Sequence, residues 1–427
     1  MKRPLKIAIA GLGTVGGGVI KALSTRADAL AAQAGCRLEV VAVSARDPRK
    51  KRDFEVKGLL SDPLALASGD ADVVVELIGG EEGVARQLVE TALRNGKHVV
   101  TANKALLARH GRQLAELAEQ KNLQLKFEAA VAGGIPIVTT LREALIAHGV
   151  DAVKGILNGT CNYILTEMEV SGRGFDEVLK DAQAKGYAEA DPTLDIGGGD
   201  TAHKLALLSA LAFGVAPDLT HMQVEGITRI TADDIRFASE FGFRIKLLGV
   251  ARQTPTGIEQ RVHPAMVRAR TPLANVDGAA NGVVVDAGEA GSFFFSGRGA
   301  GEAPTASAVV SDIVEIARGS FGPVFGRPAA GLTDLQPADP GAARSACYLR
   351  FEVLDAPGVL AGIAGRLSDA NVSIESMIQR GRSPGEPVSI VMITHDCPQN
   401  AVERALKAIA ASDKVRARPC MIPMETA

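Results

Sequence analysis

Short apolar runs alternate with longer amphipathic stretches along the first third of the chain. The apolar runs have the length of β-strands and lie at residues 5–10, 38–43, 72–78, 98–100 and 125–128. The stretches between them place apolar residues at helical spacing over residues 19–32, 84–94 and 111–121. This alternation predicts βαβ units that build a parallel sheet, with any ligand at the carboxyl ends of its strands.

The pattern changes in the rest of the chain. A strand, a turn and the start of a helix follow one another at residues 155–163, and the same order recurs at 293–305, where Pro304 lies in the first helical turn. Residues 327–345 are rich in Pro, Gly and Ala, which is typical of a linker. Beyond them, a strand at 347–353, a helix ending at Ala370 and a strand at 372–374 predict a separate small module.

Composition and charge argue against several classes of function. The 427 residues include 47 Lys and Arg against 49 Asp and Glu, and no basic stripe is interleaved with aromatics, which argues against a nucleic-acid partner. The apolar stretch at 205–216 is too short to span a bilayer, and the basic, apolar start runs directly into a glycine pattern, unlike a signal peptide. We therefore expect no membrane partner and a cytoplasmic location. The five cysteines form no CxxC pair, which argues against a zinc site or a disulfide framework.

Gly11, Gly13 and Gly16 form a GxGxxG pattern between the first strand and the first helix. Gly11 permits a tight turn, Gly13 lets backbone amides approach a pyrophosphate, and Gly16 lets the helix pack closely on the strand. The amino end of the helix adds partial positive charge. A glycine-rich turn in another kind of α/β protein is the alternative, but the complete order of strand, glycines, helix and strand favours dinucleotide binding.

The end of the second strand bears on the choice of dinucleotide. NAD enzymes usually carry Asp or Glu there, which accepts a hydrogen bond from the ribose 2′-hydroxyl. Here Ser44 and Arg46 follow the strand and would bind a 2′-phosphate. We therefore expect NADP to be preferred, although Asp47 leaves NAD possible and a solvated basic loop is the alternative.

The segment 186–204 holds the densest chemistry of the chain. Its carboxylates are Glu189, Asp191, Asp195 and Asp200. Asp200 and Lys204 are four residues apart and therefore share one helical face. The plain alternative is a helix cap with a surface ion pair, which is worth only a few tenths of a kcal/mol. Acids gathered beside one lysine instead favour a pocket for an amino acid, in which carboxylates hold the ammonium group and the lysine serves an oxygen.

Two further features have both a structural and a functional interpretation. Lys104 follows a buried strand at the edge where the sheet would hold its ligand, but a lysine in that position is often merely exposed. The small-residue loop at 129–136 has carbonyls that could ligate a hard cation together with Glu128, and a plain connection explains the loop equally well. The histidines show no ligand spacing, so we expect no metal catalysis through histidine.

Six motifs in order make the chain similar to the homoserine dehydrogenase family over most of residues 5–325. They are GLGTVG (11–16), TANKALLA (101–108), EAAVAGGIPI (128–137), GILNGTCNYI (155–164), GYAEADPTLDIGGGDTAHK (186–204) and GRGAGEAPTASAVVSD (297–312). Such a series is more specific than the Rossmann glycines alone. The resemblance implies reversible NAD(P)H-dependent reduction of L-aspartate 4-semialdehyde to L-homoserine, in the biosynthesis of threonine, methionine and isoleucine.

The resemblance also implies roles for individual residues. Lys204 would be the proton donor and acceptor at the substrate oxygen, and Lys104 would lie close to the nicotinamide and the substrate. The substrate would be bound by Glu189, Asp200, Thr160, Tyr187 and Asp195. At the cofactor, Thr14, Val15, Gly186 and Gly301 would join Gly11, Gly13, Gly16, Ser44, Arg46 and Lys104. A sodium ion would be bound by Glu128 and by the backbone carbonyls of Val131, Gly133 and Ile135.

One feature departs from the family pattern. Three glycines, Gly197 to Gly199, precede Asp200 and form a looser turn than the family usually has there. Such a turn would lower the rigidity of the pocket, although Asp200 and Lys204 keep their places.

The C-terminal module resembles the ACT domain, a ferredoxin-like βαββαβ regulatory fold that binds amino acids. The resemblance rests on the order strand, DAPGVL (355–360), helix and strand, and covers about residues 346–423. It implies feedback by L-threonine as an effector. A structural dimerisation module without a ligand is the alternative.

Together these features predict an α/β protein of three domains and one linker. They are a Rossmann-type NAD(P)-binding domain with a parallel sheet (1–130), an α+β domain for substrate binding and dimerisation (131–326), a linker (327–345) and an ACT domain (346–427). The helix near 304–318 is expected to return to the first domain, and the protein is expected to be a homodimer or homotetramer. A reductase for another amino-aldehyde and a catalytically silent cofactor-binding sensor are alternatives. Lys104, Glu189, Asp200 and Lys204 argue against the sensor, which needs no proton donor.

Overall fold

A computed structural model of the chain describes residues 3–47, 49, 52, 54, 58–339, 341, 343–379 and 387–425. Within these ranges the strands form one sheet of six strands, one of ten strands and a two-stranded ribbon. None of the helices in the described part of the chain is both long and apolar enough to cross a membrane.

The six-stranded sheet is parallel throughout, which confirms the predicted Rossmann-type sheet. Its strands are β1 (Leu5–Ala10), β2 (Leu38–Ser44), β3 (Leu59–Leu60), β4 (Val73–Glu76), β5 (His98–Thr101) and β6 (Leu125–Lys126), in the order β3–β2–β1–β4–β5–β6. Its helices are α1 (Thr14–Thr25), α2 (Ala27–Ala34), α3 (Leu64–Ser68), α4 (Val84–Arg94) and α5 (Lys104–Gln120). Ile7 and Ile9 enter one hydrophobic core and Ala8 and Ala10 another, so both faces of the sheet are covered.

The first helical region differs from the single helix predicted at 19–32. Helix α1 already begins at Thr14, and Arg26, with φ −115° and ψ 21°, separates it from α2. Gly16, Gly17 and Gly18 have low helix propensity, which hid the start of α1 from sequence reasoning. They are nevertheless buried in α1. A Cβ on Gly18 would lie 2.7 Å from the Glu302 side chain, so close packing accounts for a glycine there.

The central region carries most of the second sheet. Its strands are β7 (Ala152–Ile156), β8 (Gln223–Val224), β9 (Phe243–Thr254), β10 (Gly257–Arg268), β11 (Ala280–Asp286) and β12 (Ser292–Arg298). Its helices are α6 (Ile137–Thr139), α7 (Gly159–Ser171), α8 (Phe175–Ala184), α9 (Thr193–Ile196), α10 (Gly199–Phe213), α11 (Ala232–Glu240) and α12 (Glu302–Arg318), with single 3₁₀ or π turns at Glu128–Ala130, Thr140–Ala144, Leu273–Asn275, Gly288–Ala290 and Ala329–Gly331. Helix α12 returns to the first sheet, because Val309 and Ile313 share a core with Ile7 and Ile9.

The C-terminal region has the predicted ACT architecture. Its elements are β13 (Arg344–Ser345), β14 (Cys347–Leu354), α13 (Val359–Asp369), β15 (Ile374–Gln379), β16 (Pro387–Thr394), β17 (Cys397–Pro398), α14 (Gln399–Ala410) and β18 (Cys420–Glu425). The strand order β18–β14–β16–β15 places both helices against one antiparallel sheet, and their apolar faces share one core with it.

This region is joined to the central one by a continuous sheet. Strand β18 pairs antiparallel with β14 and parallel with β10, where Met266 faces Met424 and Val267 faces Glu425. The ten-stranded sheet therefore runs from β12 through β10 and β18 to β15. The stretch predicted as a linker packs along the central region, with Leu332 and Leu335 buried. Regular backbone hydrogen bonds thus connect the expected regulatory module to the strands that support the candidate site.

Candidate active site

Asp200 and Lys204 lie in the first turns of α10. The Lys204 ammonium donates to Asp200 Oδ2 at 2.7 Å and to the Leu157 carbonyl at 2.6 Å. The Lys204 side chain is only 11% exposed and the Asp200 side chain only 7%. Burial of two charges is costly unless further hydrogen bonds offset the loss of water, and the Leu157 carbonyl supplies one. The pair is therefore a buried, hydrogen-bonded centre rather than the surface ion pair of the plain alternative.

Lys104 approaches the same carboxylate from the first domain. It begins α5, earlier than the predicted start at 111, because the Asn103 side chain caps the helix by accepting from the Leu106 amide at 3.1 Å. The Lys104 ammonium lies 3.0 Å from Asp200 Oδ1, and 34% of the side chain is exposed. Two ammonium groups thus flank one carboxylate at the carboxyl end of the parallel sheet.

The charge of Asp200 is fixed by this arrangement. Burial opposes ionisation, but the two lysines outweigh it, aided by hydrogen bonds from Lys204 and Asn158. Together they hold the pKa of the Asp200 carboxyl well below its usual range. Asp200 therefore stays ionised over the whole physiological pH range.

Asn158 connects the acids of the site and was missed by sequence reasoning. It is the N-cap of α7, where its Oδ1 accepts from the Cys161 amide at 2.8 Å. Its amide group donates to Asp200 Oδ2 and to Asp195 Oδ1, both at 2.8 Å. The sequence signal was an Asn directly before a helix, but the pattern could not show which acids it would contact. Asn158 ties two of the predicted substrate-binding residues into one network.

Glu76 organises the loops around Lys104 and was also missed. It is fully buried at the end of β4, where Oε1 accepts from the amides of Ile78 and Gly79 at 2.8 and 2.9 Å. Its Oε2 accepts from the Thr101 hydroxyl at 2.5 Å, at the end of β5. A carboxylate within an apolar strand gives no sign of this role in the sequence. Glu76 thus fixes the segments that follow β4 and β5, and Lys104 lies directly after the second of them.

Thr160 and Tyr187 join the network, whereas Glu189 does not. The Thr160 hydroxyl donates to the Tyr187 carbonyl at 2.8 Å and lies 3.3 Å from Asp195 Oδ2. The Tyr187 ring stacks on Tyr163 with centroids 4.2 Å apart. Glu189 is exposed, and its side chain makes no hydrogen bond or ion pair with the described residues. Its carboxylate is therefore available for a ligand.

The glycine pattern builds the expected cradle at the start of α1. Gly11 has φ +102°, and a Cβ there would lie 2.5 Å from the Leu77 carbonyl oxygen. A Cβ on Gly16 would lie 2.0 Å from the Gly11 carbonyl oxygen, so strand, turn and helix meet too closely for side chains. Gly13 caps α1 without any side-chain hydrogen bond, and Thr14 and Gly13 are exposed. Free amides at an accessible helix start fit a pyrophosphate.

Of the other residues predicted to contact the cofactor, Ser44 is hydrogen-bonded to this cradle, and Arg46, Gly186 and Gly301 lie in turns or bends. Ser44 is buried at the end of β2, and its carbonyl accepts from the Gly11 amide at 3.0 Å. Arg46 is exposed in the following loop, of which Pro48, Lys50 and Lys51 lie outside the described residues. Gly186 is exposed with φ +77°, and Gly301, with φ +118°, precedes α12.

The loop predicted to bind sodium is buried beside two carboxyl groups. Glu128 accepts from the amides of Val138 and Thr139 at 2.9 and 2.8 Å, and its own amide donates to Asp312 at 2.9 Å. Burial raises the pKa of both carboxyl groups, and Glu128 raises that of Asp312 further. The loop residues Val131, Gly133 and Ile135 follow directly. Carboxylate and carbonyl oxygens are the ligand types that a small hard cation takes, and here Glu128 and the Ile135 carbonyl also accept from backbone amides. Groups of three or more His, Cys, Asp or Glu suited to a metal are absent from the described residues.

Comparison with known proteins agrees with this geometry. The family model described as homoserine dehydrogenase, NAD binding domain, matches residues 11–128, the homoserine dehydrogenase model matches residues 136–314, and the ACT domain model matches residues 348–413. A homoserine dehydrogenase of Neisseria gonorrhoeae is 45% identical over 436 residues, covering 99% of each chain.

Solved structures give the same result. A homoserine dehydrogenase from Thiobacillus denitrificans has a TM-score of 0.94 and 43% identity, covering 99% of this chain and 98% of that one. A hyperthermophilic archaeal homoserine dehydrogenase solved in complex with NADPH has a TM-score of 0.64 and 25% identity, covering 75% of this chain and 99% of that one. The chain thus belongs to the homoserine dehydrogenase family and is an NAD(P)-dependent oxidoreductase that carries a C-terminal ACT domain.

Proposed function

We propose that this chain reduces L-aspartate 4-semialdehyde to L-homoserine reversibly, with NADPH preferred over NADH, on the route to threonine, methionine and isoleucine. The observation that carries the proposal is the buried Asp200 carboxylate held between the Lys204 and Lys104 ammonium groups. A nicotinamide cofactor supplies the hydride when it is bound. The chain itself has to bind the amino acid, place its carbonyl and deliver a proton.

Lys204 is the proposed proton donor. An ammonium group has three N–H bonds, and Lys204 uses one for Asp200 and one for the Leu157 carbonyl. The third N–H is left for the substrate oxygen, and Asp200 and Leu157 fix its direction. Lys104 adds a second positive charge on the other side of Asp200, which stabilises negative charge developing on that oxygen.

Glu189 is the proposed partner of the substrate ammonium group. Both oxygens of Asp200 are already engaged, Oδ1 by Lys104 and Oδ2 by Lys204 and Asn158. Asp200 therefore serves mainly to hold the two lysines, while the free carboxylate of Glu189 takes the ammonium. Thr160, Tyr187 and Asp195 complete the pocket.

The preference for NADP rests on the loop after β2. Ser44 ends the strand and Arg46 lies two residues further on, with no acid between them, and Arg46 is exposed and accessible to a 2′-phosphate. The archaeal relative was solved with NADPH, which agrees with this assignment. The oxygen-rich loop at Glu128, Val131, Gly133 and Ile135 is the proposed sodium site, where the ion would hold the loop and leave the proton and hydride steps to other groups.

Regulation by L-threonine is proposed for the ACT domain, together with assembly into a homodimer or homotetramer. The continuous sheet from β10 through β18 supports regulation, because a change in the ACT domain has a direct backbone route to the central region.

The testing experiment is NADPH oxidation with L-aspartate 4-semialdehyde, repeated with NADH and with added L-threonine. Faster turnover with NADPH and its suppression by L-threonine are the expected results. Arg46→Ala should reduce the preference for NADPH and leave the rate with NADH unchanged, because only the 2′-phosphate contact is lost. NADPH binding without turnover would replace this proposal with a silent cofactor sensor.

A further inference from the structure

A cavity of about 660 Å³ lies between the central region and the ACT domain. Its central wall includes Arg229, Ile230 and Pro264, and its ACT wall includes residues of α14 and the residues around the start of β18. This volume is within the range of roughly 300–1,000 Å³ that small-molecule sites have. The cavity belongs to neither the active site nor the Pro357–Gly358 turn that identifies the ACT domain.

The charges lining this cavity divide into satisfied and available groups. Arg229 forms an ion pair with Glu225, and Arg350 forms ion pairs with Asp234 and Glu352. In contrast, Lys407, Arg418 and Glu403 are exposed and form no ion pair with the described residues.

Apolar side chains lie beside the available charges. Leu406 lies between Glu403 and Lys407 on α14, and Met421 and Ile230 face the same space. Free charges of both signs next to an apolar wall complement a zwitterion that carries an apolar side chain. An aliphatic α-amino acid has this chemistry.

The central wall of the cavity is packed against the turn that starts the catalytic helix. The Ile227 amide donates to the Ile196 carbonyl at 2.9 Å. A Cβ on Gly226 would lie 1.9 Å from that same carbonyl oxygen, so the two segments touch backbone to backbone. A Cβ on Gly198 would lie 3.0 Å from the Val224 side chain. Asp200 follows Gly198 within two residues, so the glycine turn and the cavity wall form one packed unit.

We propose that the interdomain cavity binds an aliphatic α-amino acid and that its occupation changes catalysis through segment 224–230. The ligand carboxylate binds Arg418 and Lys407, its ammonium binds Glu403, and its side chain packs on Leu406. The proposal rests on the amino-acid regulation proposed above and assigns the ligand to a different place from the Pro357–Gly358 turn. Contact with the glycine turn is the route by which the bound ligand reaches Asp200.

The test is calorimetric binding to the full-length chain, with NADPH oxidation measured in parallel. The probes are L-threonine, L-isoleucine and L-leucine, with 4-methylpentanoate and 3-methylbutylamine as analogues of leucine that lack one charge each. The double variant Lys407→Ala/Arg418→Ala should weaken binding of the amino acid at least tenfold and leave basal turnover unchanged. Arg404→Ala is the matched control, because it removes an exposed cation from the same helix outside the cavity, and it should leave affinity unchanged.

A second double variant separates the location from the regulation. Arg366→Ala/Lys414→Ala alters the smaller ACT cavity beside the Pro357–Gly358 turn. Loss of binding there, with binding retained in Lys407→Ala/Arg418→Ala, would overturn the proposed location and leave regulation by an amino acid standing. Wild-type protein that binds none of the three amino acids would overturn both. Equal affinity for an analogue lacking one charge would overturn the zwitterion assignment.

The route to the active site has its own variant. Val224→Ala removes the side chain that contacts Gly198 and should retain amino-acid affinity while reducing the response of turnover to the ligand at least threefold. An unchanged response would exclude segment 224–230 as the route.

Discussion

Two buried aspartates, Asp200 on α10 and Asp234 on α11, lie in very different hydrogen-bond networks. Asp200 at the active site accepts from Lys204 and Asn158 and lies beside Lys104. Asp234, at the junction with the ACT domain, accepts from Arg350 and the Tyr348 hydroxyl. Both carboxylates are nearly or fully inaccessible to water.

The difference lies in the donors that remain free. A lysine ammonium group with two partners still has one N–H bond free. In contrast, all three guanidinium nitrogens of Arg350 donate to Asp234 or Glu352. Burial and the neighbouring Asp234 raise the pKa of Tyr348 far above its usual range, so its hydroxyl remains a donor at any working pH. The Asp200 network has N–H donors left for a substrate and can take part in chemistry. The Asp234 network has all its donors engaged and holds the two regions together.

Replacing Lys204 should have the largest effect and tests the catalytic side of this comparison. Lys204→Ala removes the proposed proton donor, and kcat should fall by about 10²- to 10⁴-fold. NADPH affinity, measured by cofactor fluorescence, should not change, because the proposed partner of Lys204 is the substrate oxygen and not the cofactor. Lys246→Met is the matched control: Lys246 is also a buried lysine, bonded to the Val276 carbonyl, and its loss should lower stability while kcat is kept. Turnover near wild type in Lys204→Ala would remove Lys204 from the mechanism.

Asp234→Asn tests the structural side. Removing one partner of a buried ion pair leaves the Arg350 charge uncompensated, at a cost of about 3–5 kcal/mol in the free energy of unfolding. Urea denaturation followed by circular dichroism and activity measures the loss. Asp233→Asn is the control, because Asp233 is 53% exposed and pairs with Arg236 on the surface. It should change stability by less than about 0.5 kcal/mol. Equal effects of the two substitutions would show that the junction is no stronger than a surface pair.

The same contrast explains what the sequence could reveal. Asp200 and Lys204 are four residues apart on one helix, so their pairing is readable, and the confirmed α/β class follows from local strand and helix patterns. Asp234 and Arg350 are far apart in the chain, and only the fold brings them together. Strand β18 likewise pairs with β10 across a long separation, so the sequence predicts a module joined by a linker and does not predict a shared sheet.

Within the active site, the residues found by motif differ from those found by contact. Lys104 was identified from its motif although its partner lies in another domain. Asn158 and Glu76 were missed because an Asn before a helix and a Glu at the end of a strand are common features without a functional meaning of their own. The roles assigned to the site residues stay predictions until the substitutions above are measured.

His263 makes the junction sensitive to acid. Its Nε2 lies 3.8 Å from Glu425 Oε1, beside Arg252 and Arg261. Burial, with help from Arg261, lowers the pKa of His263 to about 4. The unfolded chain, where a His pKa is about 6.5, therefore binds more protons between these two values. Stability contributed by neutral His263 is complete above about pH 6.5 and falls as the pH drops towards 4, by about 3 kcal/mol at most.

Unfolding free energies of wild type and His263→Gln between pH 4 and pH 7 measure this contribution. The variant should lose the corresponding part of the slope, because Gln does not titrate. Identical slopes for wild type and His263→Gln would mean that the junction does not enforce the neutral form of His263.

The smallest expected effect belongs to Asn158, which has both a structural and a positioning role. It caps α7, a structural role, and donates to Asp195 and Asp200, a positioning role. Hydrogen bonds to charged groups are worth about 1.5–3 kcal/mol, so Asn158→Ala should lower kcat/KM for the semialdehyde at least about tenfold. Asn158→Ser keeps a capping oxygen but cannot reach both acids, and it separates the two roles. If Asn158→Ser keeps kcat/KM near wild type while Asn158→Ala mainly loses stability, Asn158 acts only as a cap. If both variants lose kcat/KM at unchanged NADPH affinity, the orientation of Asp195 and Asp200 depends on the Asn158 amide group. Asn158 is then a positioning residue whose amide donors are both engaged, beside lysines that keep a free donor.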